Sequence, residues 1–428
     1  MDFFKYTSLN VLGMLGLSCY ILADTFFVSQ GLGADGLTAL NLAIPIYSIV
    51  NGSGLMLGMG GATKYAVARS QGHSGKTAFV HTLLLGAALA LVFVLVGIFF
   101  SRPIAALLGA DSTVFEMTNT YLQVILLFAP AFLLNNIFVC FVRNDGNPKL
   151  AMAGMLASSF SNIVLDYVFI FPMGMGIFGA VLATGLAPIF SMLLLSLHRK
   201  RAGFGLAKVK ANPRLFGSIL SLGVPSLVTE LSSGIVIIVF NAIILGLVGN
   251  VGVAAYGVVA NLSLVVTAIF TGIGQGMQPL LSRVHGQGQS AQIKRLLRYS
   301  MLTLAVLSVA IYAVVFFCAE PIAQMFNSEN NALLQEIAVQ GLRLYFVAVP
   351  LVGFNIILSS FFTATERPLP AQLISLLRGL AAIIPLAYLM SSLWGMSGVW
   401  LSYPSAELVT ALLAAALYLA QRRRKAAL

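Results

Sequence analysis

Apolar residues run through this chain in long unbroken stretches, and polar residues gather in the short segments between them. Crossing about 30 Å of hydrocarbon takes roughly 20 apolar residues in a helix. Twelve such stretches can be marked off, centred near residues 17, 50, 89, 130, 160 and 187 in the first half and near 230, 265, 307, 350, 380 and 407 in the second. None shows the alternation of a barrel strand, and lipid offers the backbone no water to bond, so each is expected to be a helix. The expected class is an all-α polytopic membrane protein with twelve transmembrane helices.

Composition supports that class. Of 428 residues, 59% are hydrophobic and only 9% charged, and the mean hydropathy is +0.95, far from soluble globular proteins. The first stretch runs directly into the Asp24 region with no small-residue cleavage pattern, so it is expected to remain as the first helix.

The chain also repeats itself. An offset of 216 residues carries Gly33, Gly36, Gly58, Gly60, Gln71, Gly72 and Ser74 onto Gly249, Gly252, Gly274, Gly276, Gln287, Gly288 and Ser290. With small changes of offset, Pro130, Asn135 and Pro148 match Pro350, Asn355 and Pro368, and Gly176 and Gly179 match Gly395 and Gly398. Six spans is an even number, so both halves enter the membrane in the same direction and are related by a pseudo-two-fold axis along its normal. The expected division is a first six-helix lobe at residues 1–200, a linker at 201–215, a second lobe at 216–421 and a basic tail at 422–428. Two such lobes around a central cleft are the usual geometry of alternating access.

Charge sets the orientation, because Lys and Arg stay on the cytoplasmic side. Of the 24 basic residues, 21 fall in one alternate set of loops or at the termini, including Lys64, Arg69, Arg143, the run Arg199 to Arg214, Arg283 and the tail Arg422 to Lys425. Both termini are therefore expected in the cytoplasm, in a multi-pass protein of the cytoplasmic membrane. The net charge of +11 follows from that topology and does not call for nucleic acid. Cys19, Cys140 and Cys318 lie in or near spans without paired or metal-ligand spacing and read as small packing residues.

Of thirteen acidic residues, only Asp24, Asp166, Glu230 and Glu407 fall well inside spans. A carboxylate at mid-membrane costs about 3 kcal/mol, so each needs a partner, a proton or a water-filled cavity. Asn162 and Asp166 are four apart and share a helix face, and Asp24 lies at comparable depth in the first helix. Two carboxylates brought together there cannot both ionise cheaply, so the pair becomes a proton carrier or a sodium site. Asn162, Thr184 and Tyr121 can supply further oxygen ligands. The plainer alternative is that each acid is capped by a hydroxyl or amide and only ties helices together. Asp24 has no acidic counterpart in the second half, where Phe240 takes its place. Glu230 and Glu407 likewise stand opposite Met14 and Pro188. They either line a cleft for cationic substrates or pair with Arg378 or Arg343.

Prolines such as Pro45, Pro188, Pro225 and Pro404 interrupt the spans and permit kinks. The 15 methionines and 29 phenylalanines suit a pocket for varied organic cations as well as ordinary helix packing. No phosphate-binding glycine loop is present, so uphill transport would draw on an ion gradient and no cofactor is expected. His73, His81, His198 and His285 show neither zinc-ligand spacing nor a nucleophile nearby, which argues against an enzyme.

Taken together, the residues resemble one family, the multidrug and toxic compound extrusion (MATE) transporters, over essentially the whole chain. The resemblance rests on Asp24 to Val28, Gly33 to Pro45, the glycine-rich Asn51 to Gly61, Arg143-Asn144-Asp145-Gly146-Asn147-Pro148, Asn162 to Asp166 and Gly179 to Thr184. It implies two lobes in a V that export organic cations in exchange for protons or sodium, with the lipid bilayer as surroundings and a single chain as the working unit. It further implies that Asp24, Asn162, Asp166 and Thr184 form a cation-coupling cluster with Tyr121 and Asn136 beside it, and that Glu230 lies near a second-lobe acid. The rival readings are a flippase for lipid-linked sugars and a non-transporting membrane sensor or scaffold.

Overall fold

The computed structural model of the protein describes residues 2–198, 203–327 and 331–426. Helices make up nearly all of it. In the first half these are α1 (Asp2–Ser70), α2 (Lys76–Leu107), α3 (Phe115–Leu127), α4 (Ala129–Asn144), α5 (Pro148–Ile170) and α6 (Gly176–Leu195). The second half has α7 (Pro213–Val248), α8 (Asn250–Gly286), α9 (Ser290–Phe317), the short α10 (Ala319–Phe326), α11 (Ala332–Tyr345), α12 (Val349–Ala364), α13 (Pro368–Leu376) and α14 (Ile383–Ala426). Among the described residues, nine helical segments are long and apolar enough to cross a membrane, or ten if α3 and α4, bent by 48°, count as one span.

Start signals in the sequence account for several helix boundaries. Asn147 accepts the Leu150 N–H at 3.2 Å just before Pro148 opens α5. Asn212 accepts the Arg214 and Leu215 N–H groups at 3.1 and 3.4 Å just before Pro213 opens α7. Both pair a capping amide with a proline whose missing N–H costs the first turn nothing. Helix α7 thus begins inside the expected linker.

Two long helices contain a break. Gly33 in α1 has φ 65° and ψ −155°, and Gly395 in α14 has φ 57° and ψ −134°, conformations open to glycine because it lacks a Cβ. Left-handed positions recur at the repeat spacing. Gly33 and Gly249 share φ near 65° and 73°, Gly72 and Gly288 have 81° and 70°, and Gly176 and Gly395 have 62° and 57°. The offset that aligns Pro148 with Pro368 sets Gly146 (φ 93°) opposite Glu366 (φ 55°), which alone among the described non-glycine residues has positive φ.

Buried apolar residues gather into two large cores. One holds first-half residues such as Leu57, Leu122, Ile125, Leu133 and Phe141. The other holds second-half residues such as Phe240, Tyr256, Phe270, Phe362 and Trp400, joined by Phe3 and Tyr6 from the start of the chain. The halves meet closely along part of their length. A Cβ at Gly60 would strike the Ile219 carbonyl and one at Gly223 the Met56 carbonyl, so backbone lies on backbone there. Farther along, Gln278 Nε2 donates to Thr63 Oγ1 at 2.7 Å, and Lys64 pairs with Glu366 at 2.6 Å.

Three expectations need correction or bounding. Arg143, counted with the loops, is a fully buried residue in the last turn of α4, because it finds acceptors on α1 and α8. Cys19 and Cys318 are exposed rather than packed, and only Cys140 is buried. The expected boundary at 200/201, with Arg199, Lys200 and Arg201, lies outside the described residues, while the expected tail continues α14 to Ala426.

Candidate functional site

Asp24 on α1 and Asp166 on α5 are 8% and 0% exposed, and their carboxyl groups are neighbours. Neither forms an ion pair among the described residues. Asn162 stands one turn before Asp166. With its amide turned to satisfy both ends, the nitrogen donates to Asp166 Oδ2 at 2.9 Å and the oxygen accepts the Thr184 N–H at 3.3 Å. Thr184 Oγ1 donates to the Ala180 carbonyl at 3.1 Å, and the buried Tyr121 on α3 stands beside the cluster. The five residues singled out for cation coupling therefore converge from α1, α3, α5 and α6.

Asp24 Oδ1 and Asp166 Oδ1 are both buried with no donor from any other side chain or backbone group. A proton held between two neighbouring carboxyl groups is the donor such a pair calls for. Among the described residues no group of three or more His, Cys, Asp or Glu could hold a metal ion.

The cluster borders a cleft. Asn162 and Thr184 line it, as do Tyr20, Tyr47, Asn51, Asn136, Phe132, Met14 and Met155 from the first half. The second half contributes Glu230 and Gln275. Among the described residues, no lysine or arginine lines this cleft. Asn136 Nδ2 donates to Asn51 Oδ1 at 2.9 Å, and Asn51 Nδ2 donates to Glu230 Oε2 at 3.4 Å, so Asn51, itself held by Asn136, fixes the Glu230 carboxylate on the second-half wall.

Glu407 is elsewhere. It is 1% exposed, accepts from Arg378 Nε at 2.7 Å and from Asn355 Nδ2 at 2.7 Å, and does not line the cleft. Of the two alternatives for the second-half acids, Glu407 takes the ion pair and Glu230 the cleft wall. Arg378 sits on a five-residue π-helical turn, Leu377–Ala381. Arg343 pairs with Glu320 at 3.2 Å instead.

Sequence reasoning missed the Tyr20–Tyr47 pair, whose hydroxyls meet at 2.8 Å, as well as Asn51 and Gln275. Tyr20 stands one turn before Asp24 on the same face of α1, which was a readable signal. Asn51 and Gln275 sit in glycine-rich stretches where nothing marked them out.

A bundle of membrane-length helices with unneutralised acids beside a polar cleft defines a transport protein of the multi-pass membrane class. Known proteins share this fold. The fold superposes on an outward-facing multidrug resistance MATE family transporter of the MOP superfamily with a TM-score of 0.91 at 23% identity, covering 100% of this chain and 96% of that one. It superposes on the Vibrio cholerae MATE transporter VcmN with a TM-score of 0.89 at 22% identity, covering 99% and 97%. In sequence, the multidrug export protein MepA of Staphylococcus saprophyticus is 27% identical over 410 residues, 94% of this chain and 90% of the relative. MepA of Staphylococcus aureus gives the same identity and coverage. The MatE family model matches residues 11–168 and again 225–389. The chain belongs to this family, the MATE transporters, which are not enzymes.

Proposed function

We propose that the protein is a secondary active antiporter that exports organic cations and drugs across the cell membrane in exchange for an ion, by alternating access. The observation that carries this reading is the unneutralised Asp24–Asp166 pair bordering, through Asn162 and Thr184, a cleft with Glu230 on its far wall. Proton binding neutralises the pair and lets the first-half helices repack around it, which changes the cleft shared with the substrate. Two neighbouring buried carboxyl groups with no cation between them suit a shared proton. Export of drugs is also what the names of the staphylococcal relatives state of those proteins.

Two six-helix lobes fit the same reading. Dividing α1 at Gly33 and the last membrane segment at Gly395, where the backbone leaves the helix, raises ten spans to twelve. The basic loops then lie in the cytoplasm with both termini, and the closely packed end of the interface faces inward, which leaves the cleft accessible from outside. A first lobe to residue 200, a linker to 215 and a second lobe to 421 are the proposed division, supported by the two cores apart from Phe3 and Tyr6, and the site draws on one chain. The flippase alternative has no support in a cleft without basic residues.

The test is uptake of a fluorescent lipophilic cation into proteoliposomes under an imposed proton gradient and, separately, a sodium gradient. Proton-driven uptake in wild type and its loss in Asp24→Asn are expected. Equal uptake by the variant, or none by wild type under either gradient, would overturn the reading.

A further inference from the structure

Beneath the cleft lies a charge that nothing balances. Arg143 is 0% exposed. Its Nη1 donates to Asn10 Oδ1 on α1 at 2.8 Å and to Gln275 Oε1 on α8 at 2.7 Å. Its Nη2 has only sulfur to bond, Met59 Sδ at 3.4 Å and Cys140 Sγ at 3.5 Å, and Nε has no acceptor. No carboxylate lies within ion-pair distance among the described residues. Asp145, two residues on, spends its oxygens on Tyr65, Arg69, His198 Nε2 at 2.8 Å and the Gly203 N–H at 2.7 Å. The α4 C-terminus favours a cation there, but a buried guanidinium held by neutral amides, a thioether and a thiol is an expensive way to pack two halves together.

Its position suggests what that expense obtains. Cys140 and Gln275 line the cleft and touch Arg143 from the cleft side. On the other side, Asn144 bonds Gln278 at 3.4 Å, Gln278 bonds Thr63 at 2.7 Å, and the Lys64–Glu366 pair follows. Arg143 is therefore a full layer of the seal between the halves. The geometry points to Arg143 as a charge filter in the closed gate: its unneutralised cation bars organic cations held near Glu230 from slipping through the seal, while Gln275 supplies the contact that separates when this end opens. Positive charge placed in a pore is a general means of excluding cations. The assignment rests on the transport reading above and adds a specificity-determining residue to it.

The experiment is passive efflux of preloaded tetraethylammonium from proteoliposomes with no imposed ion gradient. Gln275→Glu separates the filter from a mere latch. It places a carboxylate at 2.7 Å from the guanidinium, so it tightens a latch but cancels a filter. A several-fold rise in efflux over wild type is expected for Gln275→Glu and for Arg143→Gln, with Arg143→Lys close to wild type. Unchanged or lowered efflux for Gln275→Glu would overturn the assignment, as would Arg143→Lys leaking as fast as Arg143→Gln. If Arg143→Gln does not fold, Gln275→Glu still decides, because it adds a partner and removes none. Since no driving gradient enters, a wild type that fails to take up drug defeats the antiport reading alone, and equal efflux from wild type and Gln275→Glu defeats this one alone.

Discussion

The two halves of the chain treat buried charge in opposite ways. In the first, Asp24 and Asp166 lie near each other with amide and hydroxyl neighbours and no cation. In the second, Glu407 is held by Arg378 and Asn355 at 2.7 Å each. Where the repeat offset sets Phe240 opposite Asp24, Phe240 stacks on Tyr256 at 5.4 Å, and Tyr256 leads to Trp400 and the Tyr345–Tyr403 stack at 4.2 Å. The offset that aligns Gly179 with Gly398 likewise places Tyr403 opposite Thr184. One half thus keeps an unneutralised pair of carboxyl groups, while the other fills the matching space with rings and matches one of its two intramembrane acids, Glu407, with a base.

Putting the first half's chemistry into the second should fail outright. Phe240→Asp removes a fully buried ring and leaves a carboxyl group among aromatic faces, a loss on the order of 5 kcal/mol from lost packing and an unpartnered polar group together. Thermal unfolding in detergent is expected to show a collapse of stability, with no uptake restored in an Asp24→Asn background. A variant as stable as wild type would mean that the aromatic cluster is not the second half's replacement for the acid pair.

A smaller loss is expected from Glu407→Gln. The pair is buried, with side chains 13% and 1% exposed, and removing one partner leaves Arg378 uncompensated at a cost of about 3–5 kcal/mol. Because Glu407 lies outside the cleft, the protein that does fold should show unchanged affinity for a cationic drug. Weakened drug binding at full stability would instead return Glu407 to the substrate site.

Much of this contrast can be read without coordinates, and the reason is energetic. An acid inside an apolar stretch announces itself, and Asn162 and Asp166 four apart declare a shared helix face, so the first-half cluster was visible residue by residue. Arg143 was not, because a basic residue near a helix end looks the same whether it faces water or, through Asn10 and Gln275 more than 130 positions away, the interior. Tyr20, Tyr47 and Asn51 are common packing residues whose role depends on neighbours brought in by folding. Apolar stretches also revealed membrane-length helices more readily than their boundaries, since an apolar run does not reveal that α1 continues through Gly33 with only a local break.

The smallest effect concerns Gly146 and Glu366, the matching turns after α4 and α12. The first half uses glycine at positive φ, while the second uses Glu366 at φ 55° and directs its carboxylate at Lys64, 2.6 Å away across the halves. Both side chains are 26% exposed, so Lys64→Met should cost no more than about 1 kcal/mol in unfolding. Glu366→Gly loses the same bond, and the contact with His285 at 3.9 Å as well, yet it relieves a left-handed backbone worth about 1 kcal/mol. Glu366→Gly is therefore expected to unfold at a higher temperature than Lys64→Met. The reverse order would mean that the turn holds glutamate without strain, and that the second half gave up its glycine at no cost to gain a contact between the halves.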